Sequence, residues 1–306
     1  MKKILITIFA FILPIFANQN YLFFTESMMA SHLKDYNCEE KEAIEKDLNL
    51  VRDICFSGSA SVEKPVYLAT AGGPGARKST IMARFLKTHP EFSNIVHLDI
   101  DQRGLRFMAH TYYARSLSLL PLAEDSNYLL SQKKAYEKWR GGSNYITLKL
   151  LEEAFAQRKN IAHAVTSTGE HTPELLSKIK EAGYEIAFLL CSAEDEFRQQ
   201  ALQYRMCEQK FYQATPEDAV NKGKFFPMRM PAYFASADAL YLFWSDDLAT
   251  PERLAAVLKN GQMEVMDQDA LGHFIDKFER DRALLKEYGS EIPEWNNLLK
   301  LYYSRF

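Results

Sequence analysis

The chain has 306 residues, of which 47% are hydrophobic and 25% charged, and its formal net charge is −3 at pH 7. This composition is that of a globular protein long enough to bury a large core without cross-links. The slight negative charge disfavours a broad electrostatic nucleic-acid binder, so no nucleic-acid partner is expected. The four cysteines form no CxxC pair and have no companion histidines, which disfavours a zinc site; a disulfide between Cys38 and Cys55 is left open.

The N-terminus has the pattern of a secretory signal peptide. Two lysines precede an apolar run from Ile4 to Phe16, and Ala17 and polar residues follow. The run is too short to span a bilayer comfortably, and Ala17 is small enough for cleavage to follow it. We therefore predict a signal peptide over residues 1–17 and an exported protein. An uncleaved N-terminal anchor and a buried strand are the alternatives.

The next segment, residues 18–60, is predicted to be helical, with an amphipathic stretch from Lys41 to Val51. From Pro65 onward, short apolar runs alternate with helical patterns. The predicted strands are Val66–Ala69, Ile95–Leu98, Ile161–Val165, Tyr184–Leu190 and Ala239–Trp244. The predicted helices are Lys78–Lys87, Leu105–Leu120, Tyr145–Arg158, one that Thr172 caps and that ends before Gly183, one from Ser192 to about Gln209, and one that opens at Thr250–Pro251 and closes at Gly261.

This alternation predicts an α/β fold, with a mainly parallel sheet and helices on both faces. Ligands of such sheets bind beyond the carboxyl ends of the strands. The expected organisation is a core domain over residues 61–248 with a helical N-terminal segment and a C-terminal helical extension over residues 249–306.

A glycine-rich turn between the first strand and the first helix of this core predicts a phosphate-binding loop. Gly72, Lys78 and Ser79 match the GxxxxGK[ST] pattern, in which backbone N–H groups and the lysine hold nucleotide phosphates and the hydroxyl binds Mg²⁺. The helix N-terminus adds a partial positive charge. The residues assigned to nucleotide binding are Gly72, Gly73, Pro74, Gly75, Ala76, Arg77, Lys78, Ser79 and Thr80.

Arg77 stands where the pattern has its second glycine. Three consequences are open. The guanidinium could point outward, it could make an extra phosphate contact, or the site could be damaged and bind a nucleotide or a partner without catalysis.

Two carboxylates follow the second predicted strand. Asp99 is assigned with Ser79 to Mg²⁺, and Asp101 is expected to orient an acceptor hydroxyl. For either aspartate the alternative is that it only caps the helix that follows.

Cations later in the chain are candidates for stabilising a transferred phosphoryl group. Arg205 is the stronger of two arginines on one predicted helix, because Arg198 follows acidic neighbours and fits a solvated, salt-bridged face. Lys222, Lys224 and Arg229 are predicted to form a lid over the triphosphate.

With these motifs in view, the chain from Pro65 to Trp244 resembles the zeta toxins, a family of P-loop kinases. The family's GxPGxGKT-like loop corresponds to residues 72–79, and its Asp-x-Asp motif corresponds to Asp99-Ile100-Asp101. The resemblance implies that Asp101 is the catalytic base. A third strand that typically ends in Asp-Gly-Thr corresponds to residues 166–168 and keeps only Thr168, which is thereby assigned to substrate binding.

The resemblance also assigns two phosphate-binding cations. The first family arginine falls on Arg205, and the second falls on Lys224, where lysine keeps the charge but loses the bidentate fork of arginine. Zeta toxins phosphorylate uridine-diphosphate-N-acetylglucosamine. The resemblance therefore implies a kinase that uses ATP or GTP with Mg²⁺ to phosphorylate a hydroxyl of a nucleotide sugar or a related metabolite, with a dinucleotide or a nucleoside as alternative acceptors.

Two expectations concern partners and location. An antitoxin or a host target is the expected macromolecular partner. Because ATP is a cytosolic resource, an exported kinase is expected to be delivered into another cytosol, or to be tethered to the membrane with its domain facing inward.

Overall fold

The computed structural model describes residues 23–92, 94–117, 126–208, 211–259, 261–285, 295–297 and 299–300. The signal peptide predicted over residues 1–17 lies outside them. Within these ranges, no helix has the length and apolar character needed to cross a lipid bilayer. Cys38 and Cys55 are both free thiols, so the disulfide that the sequence left open is not formed.

From residue 23 onward, where the description begins, two N-terminal helices precede the sheet, as predicted. They are α1, Glu26–Ser31, and α2, Cys38–Phe56. Helix α2 begins with a capping box, in which the Asn37 side chain accepts a hydrogen bond from the Glu40 N–H and the Glu40 carboxylate accepts one from the Asn37 N–H. Its buried face carries Ile44 and Leu48 into the main core.

A seven-stranded sheet forms the centre of the protein, in the spatial order β2-β3-β1-β4-β5-β6-β7. Strands β1 to β5 run parallel to one another, β6 pairs antiparallel with β5, and β7 pairs antiparallel with β6. The fold is therefore α/β with a mostly parallel sheet, as predicted. The strands are β1 Val66–Ala71, β2 Val96–Asp99, β3 Ile161–Ala164, β4 Glu185–Ala193, β5 Ala239–Ser245, β6 Arg253–Lys259 and β7 Gln262–Val265.

Helices cover both faces of the sheet. On one face, Ile81, Met82 and Phe85 pack against Leu68 and Leu189. The opposite face contributes to a larger core shared with the N-terminal helices. Wide helical turns at Ile100–Gly104 and Ala109–Leu117 flank a 3-10 turn at Leu105–Phe107. The remaining helices are α3 Lys78–Thr88, α4 Ser126–Ala156, α5 Thr172–Glu181, α6 Asp195–Cys207, α7 Pro216–Gly223, α8 Phe225–Ser236 and α9 Gln268–Ala283.

The helix predicted from Thr250–Pro251 to Gly261 is wrong, and the segment after residue 249 is not wholly helical. Residues Arg253–Lys259 form β6, which pairs antiparallel with β5, and Gly261 lies in the turn to β7 with φ +72°. The free edge of β5 offers backbone hydrogen bonds that outweigh the local Thr-Pro start signal. Helix α9 follows β7, and the described residues 295–297 and 299–300 are also helical.

Other element ends also differ from prediction. Helix α4 begins at Ser126, whereas the sequence predicted a helix only from Tyr145; Trp139 is buried within the part that was not predicted. Strand β4 continues to Ala193 because it keeps pairing with β5, so Ser192 does not begin a helix. Helix α5 contains Thr172 as its first residue, so Thr172 is not its cap.

Candidate active site

The loop between β1 and α3 has the backbone that the sequence pattern predicts. Gly72 and Gly75 have φ of +148° and +81°. A Cβ on Gly72 would lie 2.3 Å from the carbonyl oxygen of Cys191 in β4, and one on Gly75 would lie 2.3 Å from that of Arg198 in α6. Both glycines are therefore required by conformation and by close packing against backbone.

Lys78 is the first residue of α3, and its side chain folds back over the loop. Its Nζ donates a hydrogen bond to the Gly73 carbonyl oxygen at 2.8 Å. Burial lowers the pKa of this amine to about 8. The loop therefore surrounds a desolvated cation and the N-terminus of a helix, an arrangement that attracts phosphate.

Arg77 has a left-handed backbone, with φ +56° and ψ 22°. This conformation explains why the pattern has glycine here, since it costs other residues about 1–2 kcal/mol. The side chain points outward. Its Nε lies 2.9 Å from Glu252 Oε1, and its Nη1 donates hydrogen bonds to the carbonyl oxygens of Asp247 at 3.0 Å and Thr250 at 2.9 Å. Of the open consequences, the outward orientation is the one observed.

Ser79 and Asp99 lie together at the end of β2. The Ser79 hydroxyl donates a hydrogen bond to Asp99 Oδ2 at 2.5 Å, and Asp99 Oδ1 accepts the N–H groups of Asp101 at 2.9 Å and Gln102 at 2.8 Å. Asp99 thus caps the following turn and also faces the loop hydroxyl.

This hydroxyl–carboxylate pair fits Mg²⁺. Mg²⁺ prefers oxygen donors and keeps several waters, so one or two protein ligands beside nucleotide phosphates are sufficient. Across the described ranges, no three or more His, Cys, Asp or Glu side chains cluster so that they could hold a metal ion by themselves. Ser79 and Asp99 are therefore the residues that would hold the ion together with phosphate oxygens.

Asp101 is paired with an arginine that the sequence analysis missed. Arg140 Nη1, from α4, donates a hydrogen bond to Asp101 Oδ1 at 2.6 Å. Burial raises the pKa of Asp101, and the Arg140 charge opposes that shift. Tyr136, one helical turn before Arg140, lines a cavity together with Asp101 and Arg140. The four-residue spacing of Tyr136 and Arg140, which places both on one face of a helix, was the available signal, but it lies before Tyr145, where no helix was predicted.

Two cavities meet at the Ser79–Asp99 pair. The phosphate cavity, of about 210 Å³, is enclosed by the glycine-rich loop together with Asp101, Arg140, Arg205 and Lys222. The arginine cavity, of about 640 Å³, is lined by Thr80, His97, Arg103, Arg106 and Arg205 among others. Arg205, Ser79 and Asp99 line both.

The two arginines of α6 have different environments. Arg205 hydrogen-bonds the Gln213 side chain, and burial lowers its pKa while Asp101 and Asp99 oppose that shift. Arg198 is only 4% exposed, so the solvated surface predicted for it is wrong. It pairs with Asp195, which lies 3.0 Å from Lys277 Nζ of α9.

Two other predicted site residues lie outside both cavities. Lys224 is exposed, with its Nζ 5.6 Å from the centroid of its neighbour Phe225, and it is Lys222 that lines the phosphate cavity. Two residues span more than half a helical turn, so Lys222 and Lys224 cannot share a face. Thr168 donates a hydrogen bond to Thr166 at 3.2 Å, and Thr166 lines the phosphate cavity instead.

Comparison with known proteins now decides the family. The sequence model of the family described as Zeta toxin matches residues 52–221, more than half of the chain. The chain belongs to the zeta-toxin family. The resemblance drawn from the motifs is thereby confirmed, and with it a P-loop fold of the kind found in kinase-like phosphotransferases.

Solved structures show the same fold at low sequence identity. The AvrRxo1-ORF1:ORF2 complex with ATP is 13% identical with a TM-score of 0.56, and 87% of this chain and 90% of that one are covered. The native AvrRxo1-ORF1:ORF2 complex is 14% identical with a TM-score of 0.58, covering 90% and 92%. The PezAT toxin–antitoxin system of Streptococcus pneumoniae is 16% identical with a TM-score of 0.50, covering 83% and 98%. A search of curated protein sequences gives no significant match.

Proposed function

We propose that this zeta-toxin-family protein is a kinase that transfers the γ-phosphate of ATP or GTP to a hydroxyl of a nucleotide sugar or a related metabolite. One observation carries the proposal. Lys78, the Ser79–Asp99 pair and Asp101 line one cavity at the carboxyl end of the parallel strands, where phosphates, Mg²⁺ and an acceptor hydroxyl would have to meet.

The side chains divide the chemical work. Loop N–H groups and Lys78 bind the phosphates. Ser79 and Asp99 would hold Mg²⁺, which would neutralise phosphate charge. Asp101 accepts the proton of the acceptor hydroxyl while that oxygen bonds the γ-phosphorus and the bond to the β–γ bridging oxygen breaks. The raised pKa of Asp101 makes it a better base, and Arg140 fixes its carboxylate.

Cations around the phosphate cavity stabilise the charge that spreads over the transferred group. Arg205 and Lys222 line this cavity, so in the proposed mechanism Lys222 takes the part that the sequence assigned to Lys224.

The arginine cavity supports an anionic acceptor. Arg103, Arg106 and Arg205 line it, against the single carboxylate of Asp99. Arg106 donates a hydrogen bond to Gln102 and lies over the Phe211 ring, whereas Arg103 has no ion-pair partner among the described residues. Arginines bind phosphate oxygens through a bidentate fork, which suits the diphosphate of a nucleotide sugar.

Two structural neighbours bear on the donor and the partner. One AvrRxo1-ORF1:ORF2 complex was solved with ATP, which supports ATP as a phosphate donor here. The PezAT neighbour is a toxin–antitoxin system, which supports an antitoxin as a partner of this chain.

The decisive experiment replaces the proposed base. With γ-labelled ATP and a pool of metabolites, the native chain should label one acceptor, and Asp101→Asn should lower that transfer by about 10²- to 10⁴-fold, the range of general-base catalysis. ATP affinity should be retained. The exposed Asp53→Asn serves as the matched control. Undiminished transfer by Asp101→Asn would refute the base assignment.

A second candidate function is nucleotide or partner binding without catalysis, favoured by Arg77 in the glycine position. Affinity for ATP without phosphate consumption over a panel of nucleotides and nucleotide sugars would support this function over the kinase.

We also propose export followed by delivery into another cytosol, or membrane tethering, from the basic and apolar pattern of residues 1–17. Cell fractionation that recovers the protein only from its producer's periplasm would contradict delivery.

A further inference from the structure

We propose that Glu252 is a positioning residue for the phosphate-binding loop and acts through Arg77. The usual glycine adopts a left-handed backbone without strain and has no side chain to enter the loop. In this chain the ion pair with Glu252 holds Arg77 in that backbone conformation and keeps its side chain out of the loop. The consequence for nucleotide affinity rests on the proposed function; the positioning itself does not.

The first argument is the charge at the loop. Lys78, Arg198 and Arg205 already bring three cations to or around it. A guanidinium turned inward from Arg77 would add a fourth and would compete with the nucleotide for the space inside the loop. The outward orientation therefore needs a partner outside the loop.

Glu252 is that partner. Its side chain is only 1% exposed, and its carboxylate is shared by two arginines, with Oε1 2.9 Å from Arg77 Nε and Oε2 against Arg84 Nη1. A buried carboxylate requires cations around it. Glu252 and Arg77 therefore fix each other in place.

The connection between β5 and β6 completes the contact. The Asp247 carboxylate accepts hydrogen bonds from the N–H groups of Ala249 at 2.7 Å and Thr250 at 2.6 Å, which shapes the turn. The carbonyl oxygens of Asp247 and Thr250 then face Arg77 Nη1. Arg77 is thus held by two carbonyl acceptors and one carboxylate ion pair, all on the same connection.

The test combines four variants with amide hydrogen exchange. Glu252→Gln keeps the shape and removes the charge, Arg77→Gly restores the usual glycine, and the double variant combines them. Arg84→Gln is the matched control, because Arg84 contacts the same carboxylate, is 45% exposed and lies outside the loop.

We expect Glu252→Gln to speed exchange in a peptide covering residues 70–79 by about tenfold, as local opening becomes easier. The same substitution should add nothing in the Arg77→Gly background, and Arg84→Gln should leave the loop unchanged. Exchange in the β3 peptide, residues 161–164, reports general destabilisation. Unchanged loop exchange in Glu252→Gln would overturn the proposal, as would an equal increase in both backgrounds or at β3.

ATP affinity with Mg²⁺ gives a separate readout. Glu252→Gln should weaken binding about tenfold, and the double variant should bind as Arg77→Gly does. If the native chain binds neither ATP nor GTP, the proposed function fails, while the exchange measurements still decide whether Glu252 positions the loop.

Discussion

Lys78 shows how burial prepares one side chain for its task. Its amine is desolvated inside the phosphate-binding loop and bonds the Gly73 carbonyl oxygen, so its pKa falls to about 8. A bound phosphate group would offset the lost solvation, because its negative charge stabilises the protonated Lys78 amine. The affinity of the loop for phosphate is therefore linked to pH.

We predict that ATP affinity falls about tenfold between pH 7 and pH 9, because the free protein loses the Lys78 proton across that interval and binding must restore it. Calorimetry in buffers of different ionisation enthalpy at pH 8.5 should detect proton uptake on binding. Lys78→Met should abolish the dependence, whereas the exposed Lys87→Met on the same helix should keep it. A flat profile for the native chain would contradict the prediction.

At the scale of elements, α6 connects the phosphate loop to the rest of the protein. The Arg198 guanidinium lies where a Cβ on Gly73 or Gly223 would be, 2.1 Å and 2.4 Å from its Nη1. Asp195 holds Arg198, and Lys277 of α9 holds Asp195. The glycines thus make room for an arginine between the loop and α7.

Substitutions of the two arginines of α6 should have different effects, one mainly on stability and the other mainly on catalysis. Arg198→Met should lower the free energy of unfolding by about 2–3 kcal/mol, less than for a fully broken buried pair because Asp195 keeps Lys277. Arg205→Met should change stability little and lower turnover about 10²- to 10³-fold, the cost of losing one transition-state donor. Chemical denaturation and turnover, measured for both variants, check this; the reverse pattern would contradict it.

At the scale of the whole molecule, two histidines lie on adjacent strands of the sheet. His163 in β3 is buried and hydrogen-bonds the Tyr67 hydroxyl at 2.9 Å, whereas the half-buried His97 in β2 is in register with Ala162 and therefore faces the other side of the sheet. Burial lowers the pKa of His163 to about 4 and of His97 to about 3, from 6.5. Both are neutral in the folded protein at neutral pH.

Below pH 6.5 the unfolded chain therefore takes up protons that the folded chain does not, so stability is lost as pH falls towards 4. His163 alone should contribute a slope that averages about 0.9 kcal/mol per pH unit between pH 7 and pH 5, below the one-proton limit of about 1.4, and His97 should contribute less because it is half-buried. Urea denaturation between pH 7 and pH 5 measures the slope, and His163→Gln should reduce it by that amount. An identical slope in the variant would contradict the assignment.

The sequence predicted those parts of the fold and the site that are contiguous in the chain. The phosphate-binding loop at residues 72–79 is recognisable because strand, glycines, lysine and helix follow one another in the chain. Asp99 and Asp101 are recognisable because they lie at the end of a strand. All five parallel strands were predicted, because continuous apolar runs between helices require a sheet covered on both faces. Family membership was also recognisable from these motifs alone.

Only the tertiary structure decided what depends on partners distant in the chain. Arg140 faces Asp101 across 39 residues, and Glu252 faces Arg77 across 175, so no local pattern links them. Strand β6 forms because β5 offers an unpaired edge, against its local helical signal. Arg198 is a third case. Its charge and acidic neighbours predicted a solvent-exposed side chain, but packing buries it beneath the phosphate loop. Residue type and spacing determine the chemistry available, whereas long-range packing determines which groups meet and which way each one points.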